Sequence, residues 1–484
     1  MGRGDGTGVK KEYEIVIGVE VHVELATQTK IFCGCSTAFG APPNTQVCPV
    51  CLGMPGTLPK LNHRATELAM AVGLALHCEV SRTTRFDRKN YFYPDNPQNY
   101  QISQLYSPIC SNGWLEIGEG QGKKRIRIHE LHLEEDAGKL LHGDAGETLV
   151  DYNRAGVPLI EIVSEPDLRS SEDTIAFISR LRTIIGYLGA SDCKLQEGSM
   201  RVDVNLSLRE AGKECLGTRT EMKNLNSFRA VTRAISAEKE RQQALLDAGE
   251  EVIQETRRWD DAKGCSVSMR SKEDARDYRY FPDPDLPPVH ISEAWIQKVR
   301  DSQPELREEK QKRFVQEYGL PEYDAALLTE SVHLARLFER TAAQGVLPKK
   351  VSNWLMGEGL RLLREKEMDP EDIRLSPGHF AALIRMNEDK RITNAVAKQV
   401  FEMAFEEDVD PQEYVKAHDL LTVQDEGLLR KTVQKVIEEN LKSVEDYRKG
   451  KDKALGYLVG QTMKAMRGQA EALTVTALLK EFLD

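Results

Sequence analysis

The chain has 484 residues, of which 40% are hydrophobic and 30% are charged, and its formal net charge is −11. This balance is typical of a soluble globular protein with two or three domains. The acidic charge argues against nucleic-acid binding over the whole surface, so such a contact would need a local basic patch. The sequence contains no bilayer-spanning apolar run and no apolar signal segment, which predicts a cytoplasmic protein without a membrane partner.

The first predicted element is a strand at residues 14–25, where apolar and polar side chains alternate. One face is fully apolar, while the other carries Glu20, His22 and Glu24. Alternation with period two is typical of a strand that lays one face on a core. The same pattern recurs in three later segments, at 124–134, 157–165 and 200–209.

These four strands would bring many polar side chains together if they were antiparallel neighbours. The open face would then hold Glu20, His22, Glu134, Glu161, Arg201, Asp203 and Asn205. Polar residues on the solvated side of such a sheet are common, so each strand alone also fits a simple solvent face. Several carboxylates on one face repel one another unless a cation binds them. A set rich in oxygen ligands favours Mg²⁺, although the histidine leaves Zn²⁺ open.

Four cysteines form two close pairs separated by a loop. Cys33 and Cys35 are followed, after twelve residues, by Cys48 and Cys51. This spacing is typical of a closed tetrahedral zinc ribbon, whose metal supplies folding energy and takes no part in catalysis. We therefore predict structural Zn²⁺ at residues 33–51, with free thiols or a redox pair as the alternatives.

Helical patterns follow the strands and become dominant after residue 292. Within the first part they cover 63–77, 171–189 and 227–249, and the proline-rich segment 280–292 marks a boundary. Beyond it, helices are expected at about 293–317, 322–341, 347–366 and 376–403, and then in a series of short helices. The predicted fold is α+β, with a sheet domain at 1–295, a helical domain at 296–405 and a small helical tail domain at 406–484.

Two absences bear on function. The sequence lacks both G-x-x-x-x-G-K-[ST] and a strand followed by G-x-G-x-x-G, so a nucleotide would bind to the sheet face. It also lacks a glycine- and serine-rich loop with an activated nucleophile, which a glutaminase requires. Any ammonia used by this chain must therefore come from a partner.

Nine motifs in order identify a family. They include "IGVEVHVEL", "CPVCLGMPGTLPKLN", "RFDRKNYFYPD", "LHLEEDAGK", "NRAGVPLIEIVSEPD", "RVDVNLSLR", "TRTEMKNLNSF", "TRRWDDAKG" and "RSKEDARDYRYFPDPDLPPV". In these motifs the chain resembles the B subunit of the aspartyl/glutamyl-tRNA amidotransferase from about residue 13 to its C-terminus. The resemblance implies a cradle-shaped kinase domain built on an antiparallel sheet, a helical domain, and a helical tail that contacts tRNA.

The resemblance also implies an activity and partners. The expected activity is that of an ATP-dependent carbon–nitrogen ligase with glutamine as amide donor. The side-chain carboxylate of Glu-tRNA(Gln), Asp-tRNA(Asn) or both is phosphorylated by ATP, and ammonia then displaces the phosphate. Ammonia would come from a glutaminase partner, the A subunit, with the small C subunit completing a heterotrimer. A non-discriminating aminoacyl-tRNA synthetase, which mischarges the tRNA, is a further expected partner.

The family pattern assigns roles to residues of the open face. Glu20, His22, Glu134 and Glu161 are expected to bind Mg²⁺ and, through it, ATP. Lys89, Glu134, Arg201, Asp203 and Lys223 are expected to line the catalytic pocket, with Lys89 contacting phosphate or guiding ammonia. One loop departs from the pattern Tyr-Pro-Asp-Leu-Pro-Lys-Gly-Tyr, because it reads "YPDNPQNY", with Asn96, Gln98 and Asn99 replacing Leu, Lys and Gly.

The segment 442–470 is net positive within an acidic chain. Its basic residues include Lys449, Lys451, Lys453, Lys464 and Arg467. A solvated helix face is the simple interpretation, but basic side chains also neutralise phosphates, and the resemblance favours tRNA. An apolar stripe in the same segment, formed by Leu458, Val459 and Met463, is expected to pack inside the bundle.

Two other functions fit parts of the sequence. One is a stand-alone carboxylate–amine ligase that acts on a small metabolite. The other is a non-catalytic zinc-ribbon scaffold that binds tRNA. ATP hydrolysis separates the three, because only the amidotransferase requires mischarged tRNA.

Overall fold

The computed structural model describes residues 12–118, 120–143, 146–270, 278–422, 426–449, 451–466 and 469–483. The chain divides into two compact units, Met1–Leu306 and Arg307–Asp484. The first unit combines strands and helices around one large sheet, and the second is helical. The mixed α and β composition agrees with the predicted fold class. The predicted division into three domains at 295 and 405 stays a prediction.

The strands of the first unit are, in chain order, β1 (Tyr13–Glu24), β2 (Glu79–Val80), β3 (Thr83–Thr84), β4 (Asp87–Asn90), β5 (Tyr100–Ser103), β6 (Cys110–Ile117), β7 (Lys124–Glu135), β8 (Lys139–His142), β9 (Thr148–Asp151), β10 (Pro158–Ser164), β11 (Met200–Glu210), β12 (Thr220–Lys223), β13 (Glu255–Asp260), β14 (Cys265–Arg270), β15 (Phe281–Pro282) and β16 (Val289–His290). Nine of them form one sheet in the order β14-β13-β12-β11-β1-β10-β7-β6-β2. All neighbours in that sheet are antiparallel except β12 and β13. The small sheet β15-β4-β5 lies separately.

The four strands with alternating patterns are direct neighbours at the centre of the large sheet. β1 pairs with β11 on one side and with β10 on the other, and β10 pairs with β7. The predicted antiparallel arrangement is therefore confirmed. The apolar sides of these strands lie in the core, as Ile17, Val204 and Ile160 illustrate with no exposed surface. A one-residue slip would turn these side chains to solvent, so burial fixes the register.

Helices cover the apolar face of the sheet. The three that do so are α1 (His63–Ala75), α2 (Ser171–Tyr187) and α3 (Phe228–Asp247). Each begins at a polar capping residue whose side chain accepts a hydrogen bond from a backbone N–H of the first turn. The capping residues are Asn62, Ser170 and Ser227. α4 (Glu293–Asp301) packs on α1 and adds Ile296 and Val299 to the same core. The opposite face of the sheet stays available for chemistry.

The helices of the second unit are α5 (Arg307–Tyr318), α6 (Glu322–Leu328), α7 (Val332–Ala342), α8 (Pro348–Trp354), α9 (Leu360–Glu365), α10 (Pro377–Glu388), α11 (Asn394–Glu407), α12 (Pro411–Ala417), α13 (Glu426–Glu439), α14 (Leu441–Arg448), α15 (Asp452–Ala465) and α16 (Ala472–Leu483). A π-helical turn, Leu355–Gly359, joins α8 to α9. Two groups of buried side chains hold this unit together, one within 314–420 and one within 429–483.

Three predicted helices are interrupted. The expected helix at 293–317 divides into α4 and α5 around Pro304, which cannot donate a helical hydrogen bond. The one at 322–341 divides before α7, where Ser331 caps the next helix. The one at 376–403 divides between α10 and α11, where Thr393 forms the new cap. Apolar periodicity continues across these breaks, which explains why it does not predict them.

In the tail segment, Leu458 has no exposed surface, and Val459 and Met463 pack against the buried group within 429–483. The predicted internal stripe is therefore confirmed.

Among the described helices of the chain, none is both long enough and apolar enough to cross a membrane.

Candidate active site

The register of the central strands aligns charged residues across the open face of the sheet. His22 of β1 lies opposite Glu161 of β10, and Glu161 lies opposite His132 of β7. On the other side of β1, Glu20 lies opposite Asp203 of β11. Directly opposed residues of an antiparallel pair have close Cβ atoms, so these side chains meet without further adjustment of the backbone.

The first group on this face combines His22, Glu134 and Glu161. His22 Nε2 lies 3.4 Å from Glu161 Oε2 and 3.9 Å from Glu134 Oε1. One ligand atom from each residue lies within 4.8 Å of the others, which is close enough for all three to bind one ion. Ser103 of β5 donates its hydroxyl to Glu134 at 3.2 Å and so fixes the orientation of that carboxylate.

A second imidazole supports this group. His132 Nε2 lies 3.1 Å from Glu161 and 3.9 Å from Glu134, while its Nδ1 lies 3.2 Å from Glu130. Burial lowers the pKa of each histidine, but the surrounding carboxylates outweigh burial and raise the pKa of His22 and, more strongly, of His132. The same attraction keeps the pKa of Glu161 well below its usual value although burial opposes it.

The second group contains Glu20, Asp203 and Glu221, and Glu20 lies two residues before His22 on β1. Their carboxylate oxygens also lie within 4.8 Å of one another. Lys223 Nζ binds Asp203 at 2.6 Å and Glu221 at 2.8 Å. Asn205 donates to Glu20 at 2.8 Å. Burial and then the neighbouring Glu161 raise the pKa of Glu20, so the two groups interact electrostatically.

A lysine faces the first group from the small sheet. Lys89 of β4 is half-buried, and its Nζ lies 5.1 Å from the ring centroid of Tyr278. Burial lowers the pKa of this ammonium, but Glu134 and Glu161 raise it above its usual value. Lys89 therefore stays charged beside the carboxylates at neutral pH.

Arg201 belongs to a third set of charges at the end of β1. Its guanidinium binds Asp136 at 2.5 Å, and Arg154 Nε lies 3.6 Å from the same carboxylate. Burial and the neighbouring Asp136 raise the pKa of Glu24 to about 8, so this pair of acids shares a proton near neutral pH. This set borders the two preceding groups without contributing to either of them.

The cysteine cluster lies in the segment between β1 and α1. The sulfur atoms of Cys33, Cys35, Cys48 and Cys51 all lie within 4.8 Å of one another, and none forms a disulfide. The Cys33 thiol and the backbone N–H of Cys48 lower the pKa of Cys51 to about 4. Four convergent sulfur atoms, one of them readily ionised, fit the ligand set of a tetrahedral Zn²⁺.

A fully buried lysine accompanies these sulfur atoms. Lys30 Nζ lies 3.5 Å from Cys51 Sγ and donates to the carbonyl oxygen of Tyr152 at 3.2 Å. A buried ammonium is costly without a partner, and the Cys51 thiolate supplies the compensating charge. Beside this pair lies a cavity of about 240 Å³ that also contacts Arg88 and Glu135.

The chain matches known proteins along almost its whole length. Residues 15–297 match the model of the GatB/GatE catalytic domain, and residues 336–483 match the GatB domain. The B subunit of the aspartyl/glutamyl-tRNA(Asn/Gln) amidotransferase of Lachnospira eligens is 60% identical over 481 residues, which is 98% of this chain and all of that protein. The protein of the same name from Agathobacter rectalis is 59% identical over 474 residues, with the same coverage. The chain belongs to this family of amidotransferase B subunits.

With the family established, the expected site residues can be located. The structure brings His22, Glu134 and Glu161 together, with Lys89 beside them. It separates Glu20 from that set and places it with two other carboxylates, because Glu20 lies opposite Asp203 on β11 but opposite the apolar Val163 on β10. The remaining expected pocket residues divide in the same way, since Asp203 and Lys223 join Glu20 while Arg201 binds Asp136.

Three residues of interest were missed by sequence reasoning. His132 lies within the alternating segment 124–134, but alternation alone gives no reason to prefer it over its neighbours. Glu221 lies in β12, a strand of only four residues that produces almost no pattern. Lys30 precedes the cysteine motif, and nothing in its spacing reveals that it is buried.

The divergent loop of this B subunit retains a defined structure. Gln98 donates to Glu135 at 3.1 Å, and Asn96 donates to the carbonyl oxygen of Tyr91 at 3.1 Å. Asn99, where the family pattern has glycine, adopts φ +62°, a left-handed conformation that asparagine tolerates. Burial raises the pKa of Glu135 to about 8, so the amide of Gln98 meets a largely neutral partner.

The expected tRNA-binding lysines lie on and around α14 and α15. Lys449 and Lys451 pair with Glu445 and Asp446 of the same segment, at 3.6 Å and 2.9 Å. Lys453 and Lys464 are exposed. Arg467 lies outside the described residues.

Proposed function

We propose that this chain supplies the kinase and transamidation activity of a tRNA-dependent amidotransferase. Its substrates would be ATP and the side-chain carboxylate of Glu-tRNA(Gln), Asp-tRNA(Asn) or both. The observation that carries this proposal is the carboxylate–histidine group of His22, Glu134 and Glu161, which lies on the open sheet face of a chain from this family. The whole-length similarity to amidotransferase B subunits supports the substrate class.

The proposed reaction has two steps. An oxygen of the substrate carboxylate attacks the γ-phosphorus of ATP, the bond to the β-phosphate oxygen breaks, and an acyl phosphate and ADP result. Ammonia then attacks the acyl carbon, the carbon–oxygen bond to phosphate breaks, and the nitrogen loses a proton as the amide forms. Phosphoryl transfer depends mainly on positioning and on neutralising negative charge.

The residues of the open face fit this chemistry. Two carboxylates and one imidazole would hold Mg²⁺, which would neutralise phosphate charge when bound. His132 orients Glu161, and Ser103 orients Glu134, as supporting partners of metal ligands do. Lys89 would place a permanent positive charge where the transferred phosphoryl group passes.

The second carboxylate group supports a second cation. The ligand atoms of Glu20, Asp203 and Glu221 also lie within 4.8 Å of one another, and Lys223 compensates part of their charge. Two neighbouring cations can stabilise both the attacking and the leaving oxygen of a phosphoryl transfer. We assign Glu20 to this second group rather than to the first.

We propose a purely structural Zn²⁺ for the cysteine cluster. Four convergent sulfur atoms close the coordination sphere, so no position stays open for substrate. Apart from one isolated bridge between Thr29 and Ser36, the described segment 25–62 forms no strand, and a metal would therefore stabilise it. The zinc-ribbon assignment rests on this set of thiols.

The expected partners follow from what the chain needs. A glutaminase, the A subunit of the proposed complex, would supply ammonia, and the small C subunit would complete the heterotrimer. The exposed lysines near α15 would bind tRNA phosphates, and a mischarging synthetase would supply the substrate. A protein of this kind would act in the cytoplasm.

ATP hydrolysis by the assembled heterotrimer tests the proposal. The experiment compares Glu-tRNA(Gln), Asp-tRNA(Asn), uncharged tRNA and free glutamate, each with ammonia. We expect ADP and amidated tRNA only with a mischarged tRNA, in equal amounts. Hydrolysis that depends on free glutamate would instead indicate a small-molecule ligase, and no hydrolysis at all would indicate a scaffold.

A further inference from the structure

Tyrosine rings from two distant chain segments line one side of the candidate active site. Tyr91 follows β4, while Tyr278 and Tyr280 precede β15. The rings of Tyr91 and Tyr278 meet edge to face with centroids 6.2 Å apart, and those of Tyr278 and Tyr280 repeat this geometry at 6.2 Å. We call these three residues the tyrosine row.

The tyrosine row adjoins the charged groups of the sheet. Lys89 Nζ lies 5.1 Å from the centroid of the middle ring, Tyr278. Burial raises the pKa of Tyr280, which is also affected by the neighbouring charges of Lys89 and Glu134. The row therefore lies beside the first carboxylate group.

The backbone that carries the row is held in a costly conformation. Asn90 donates its backbone N–H to the carbonyl oxygen of Tyr278 at 3.0 Å and its side-chain amide to that of Arg279 at 2.8 Å. Arg279, between the two tyrosines, adopts φ +44°, which is unfavourable for a residue other than glycine. Retained strain beside an active site points to a functional requirement for the position of the rings.

Further aromatic side chains near the row are exposed. The side chain of Tyr106 is 56% exposed, and its hydroxyl lies 3.5 Å from the carbonyl oxygen of Tyr280. Phe281 follows the row directly and is 44% exposed. Exposed aromatic surface next to a reactive site is typical of a ligand-binding surface rather than of a core.

The covalent structure of the substrate identifies what must lie here. The amino acid that reacts is esterified to the terminal ribose of tRNA, so the terminal base must lie close to the reacting carboxylate. The open face of the sheet is acidic and would repel phosphates. An aromatic surface instead accepts the uncharged face of an unpaired base, whatever the nearby charge.

We propose that the tyrosine row binds the adenine base at the 3′ end of the aminoacyl-tRNA by stacking. This inference rests on the proposed function. ATP also carries an adenine base that could stack on the same rings. The experiment must therefore separate binding of tRNA from binding of ATP. Stacking on the row would fix the terminal nucleotide while its amino acid reaches the first carboxylate group.

The experiment uses the assembled heterotrimer and steady-state amidation, with KM measured separately for mischarged tRNA and for ATP. Tyr278→Leu removes the central ring while keeping an apolar side chain, and Tyr278→Phe keeps the ring. We expect the Leu variant to raise the KM for tRNA about tenfold with an unchanged KM for ATP, and the Phe variant to behave as wild type. Phe39→Ala, which removes a ring that is 78% exposed in the cysteine-containing segment, is the matched control.

Each outcome decides the question. An unchanged KM for tRNA in the Leu variant, with wild-type thermal stability, would overturn the proposal. A raised KM for ATP instead would assign the row to the nucleotide substrate and also overturn it. If the Leu variant is unstable, Tyr280→Leu replaces it with the same expectation. If the wild-type complex does not hydrolyse ATP in the presence of mischarged tRNA, the proposed function itself is refuted. A wild-type complex that does so, together with an unchanged KM for tRNA in the Leu variant, refutes only the role of the tyrosine row.

Discussion

The cysteine cluster and the open face of the sheet assemble their ligands in opposite ways. The four thiols come from residues 33–51 of one loop-rich segment, and their spacing alone predicts that they converge. The first carboxylate group takes its members from β1, β7 and β10, and β1 lies far from the other two along the chain. A local site depends on spacing, whereas a dispersed site depends on strand order and register.

The two regions also differ in donor chemistry and in the basic residue beside them. Thiolates select soft metals, and carboxylates with imidazole select hard ones. Lys30 lies against a sulfur atom, whereas Lys89 faces carboxylates. In the proposed assignment, one region would stabilise a segment with a metal, and the other would use metal and charge for the reaction. Metal-specific perturbations should separate them.

Removal of a cysteine should have the largest effect, and that effect should be on stability. In Cys48→Ser, loss of one thiolate ligand should release zinc and destabilise the segment 25–62 by several kcal/mol, since binding energy of a structural zinc is folding energy. Metal analysis and thermal denaturation of the complex measure this. Cys215→Ser, which replaces an exposed cysteine outside the cluster, serves as control. Equal zinc content in both variants would contradict the assignment.

Glu134→Gln should affect chemistry without affecting the fold. The amide keeps the shape but loses the charge that holds Mg²⁺, so ATP-dependent amidation should fall at least about 100-fold, because even supporting partners of a metal are worth about 10–100-fold. Zinc content and melting temperature should not change. Glu116→Gln, at a half-buried position on β6, is the control. Unchanged amidation in Glu134→Gln would remove the first carboxylate group from the mechanism.

Lys30→Met sharpens the contrast between the two lysines. The substitution removes the ammonium that faces Cys51 but keeps a similar apolar stem, so zinc affinity should fall by about 10–100-fold. Competition with a chelator measures the change, while Mg²⁺ dependence of amidation should stay at the wild-type value. An altered Mg²⁺ requirement with unchanged zinc affinity would show that Lys30 serves the open face instead.

Much of the fold followed from the sequence, and the reason is physical. The alternation in β1, β7, β10 and β11 reflects one buried and one open face, and shifts of the register by two residues preserve that pattern. Which residues meet does not follow from alternation. Glu20 is separated from His22 because the residues opposite Glu20 are Asp203 and Val163, whereas those opposite His22 are Arg201 and Glu161. Only the pairing register reveals it.

The short elements were beyond sequence reasoning for the same reason. β12 and β4 contribute Glu221 and Lys89 from strands of four residues, too short for a period to emerge. Lys89 was predicted as a site residue only from the resemblance to the family, because the apolar periodicity around it gives no signal. Helix breaks such as that before Ser331 were missed because capping depends on single side chains rather than on periodicity.

Glu221→Gln tests the second carboxylate group, and its effect should be smaller than that of Glu134→Gln. Glu20 and Asp203 stay in place and Lys223 keeps one partner, so the remaining ligands should still bind a cation more weakly. We expect a loss of about tenfold in kcat that additional Mg²⁺ partly restores. Glu210→Gln, on the neighbouring strand β11, is the control. Full activity at limiting Mg²⁺ would argue for a single cation.

The tail lysines should give the smallest effect, because they lie on helix surfaces rather than at a point where several strands meet. The double variant Lys453→Gln and Lys464→Gln removes two exposed charges near α15, and we expect a rise of a few-fold in the KM for tRNA. The slope of log affinity for tRNA against log salt concentration should become shallower by about one to two. Each lost phosphate contact lowers the number of counterions that are released on binding. Lys435→Gln with Lys480→Gln removes the same charge from α13 and α16. If both pairs change the slope equally, the tail acts through its net charge rather than through a defined surface.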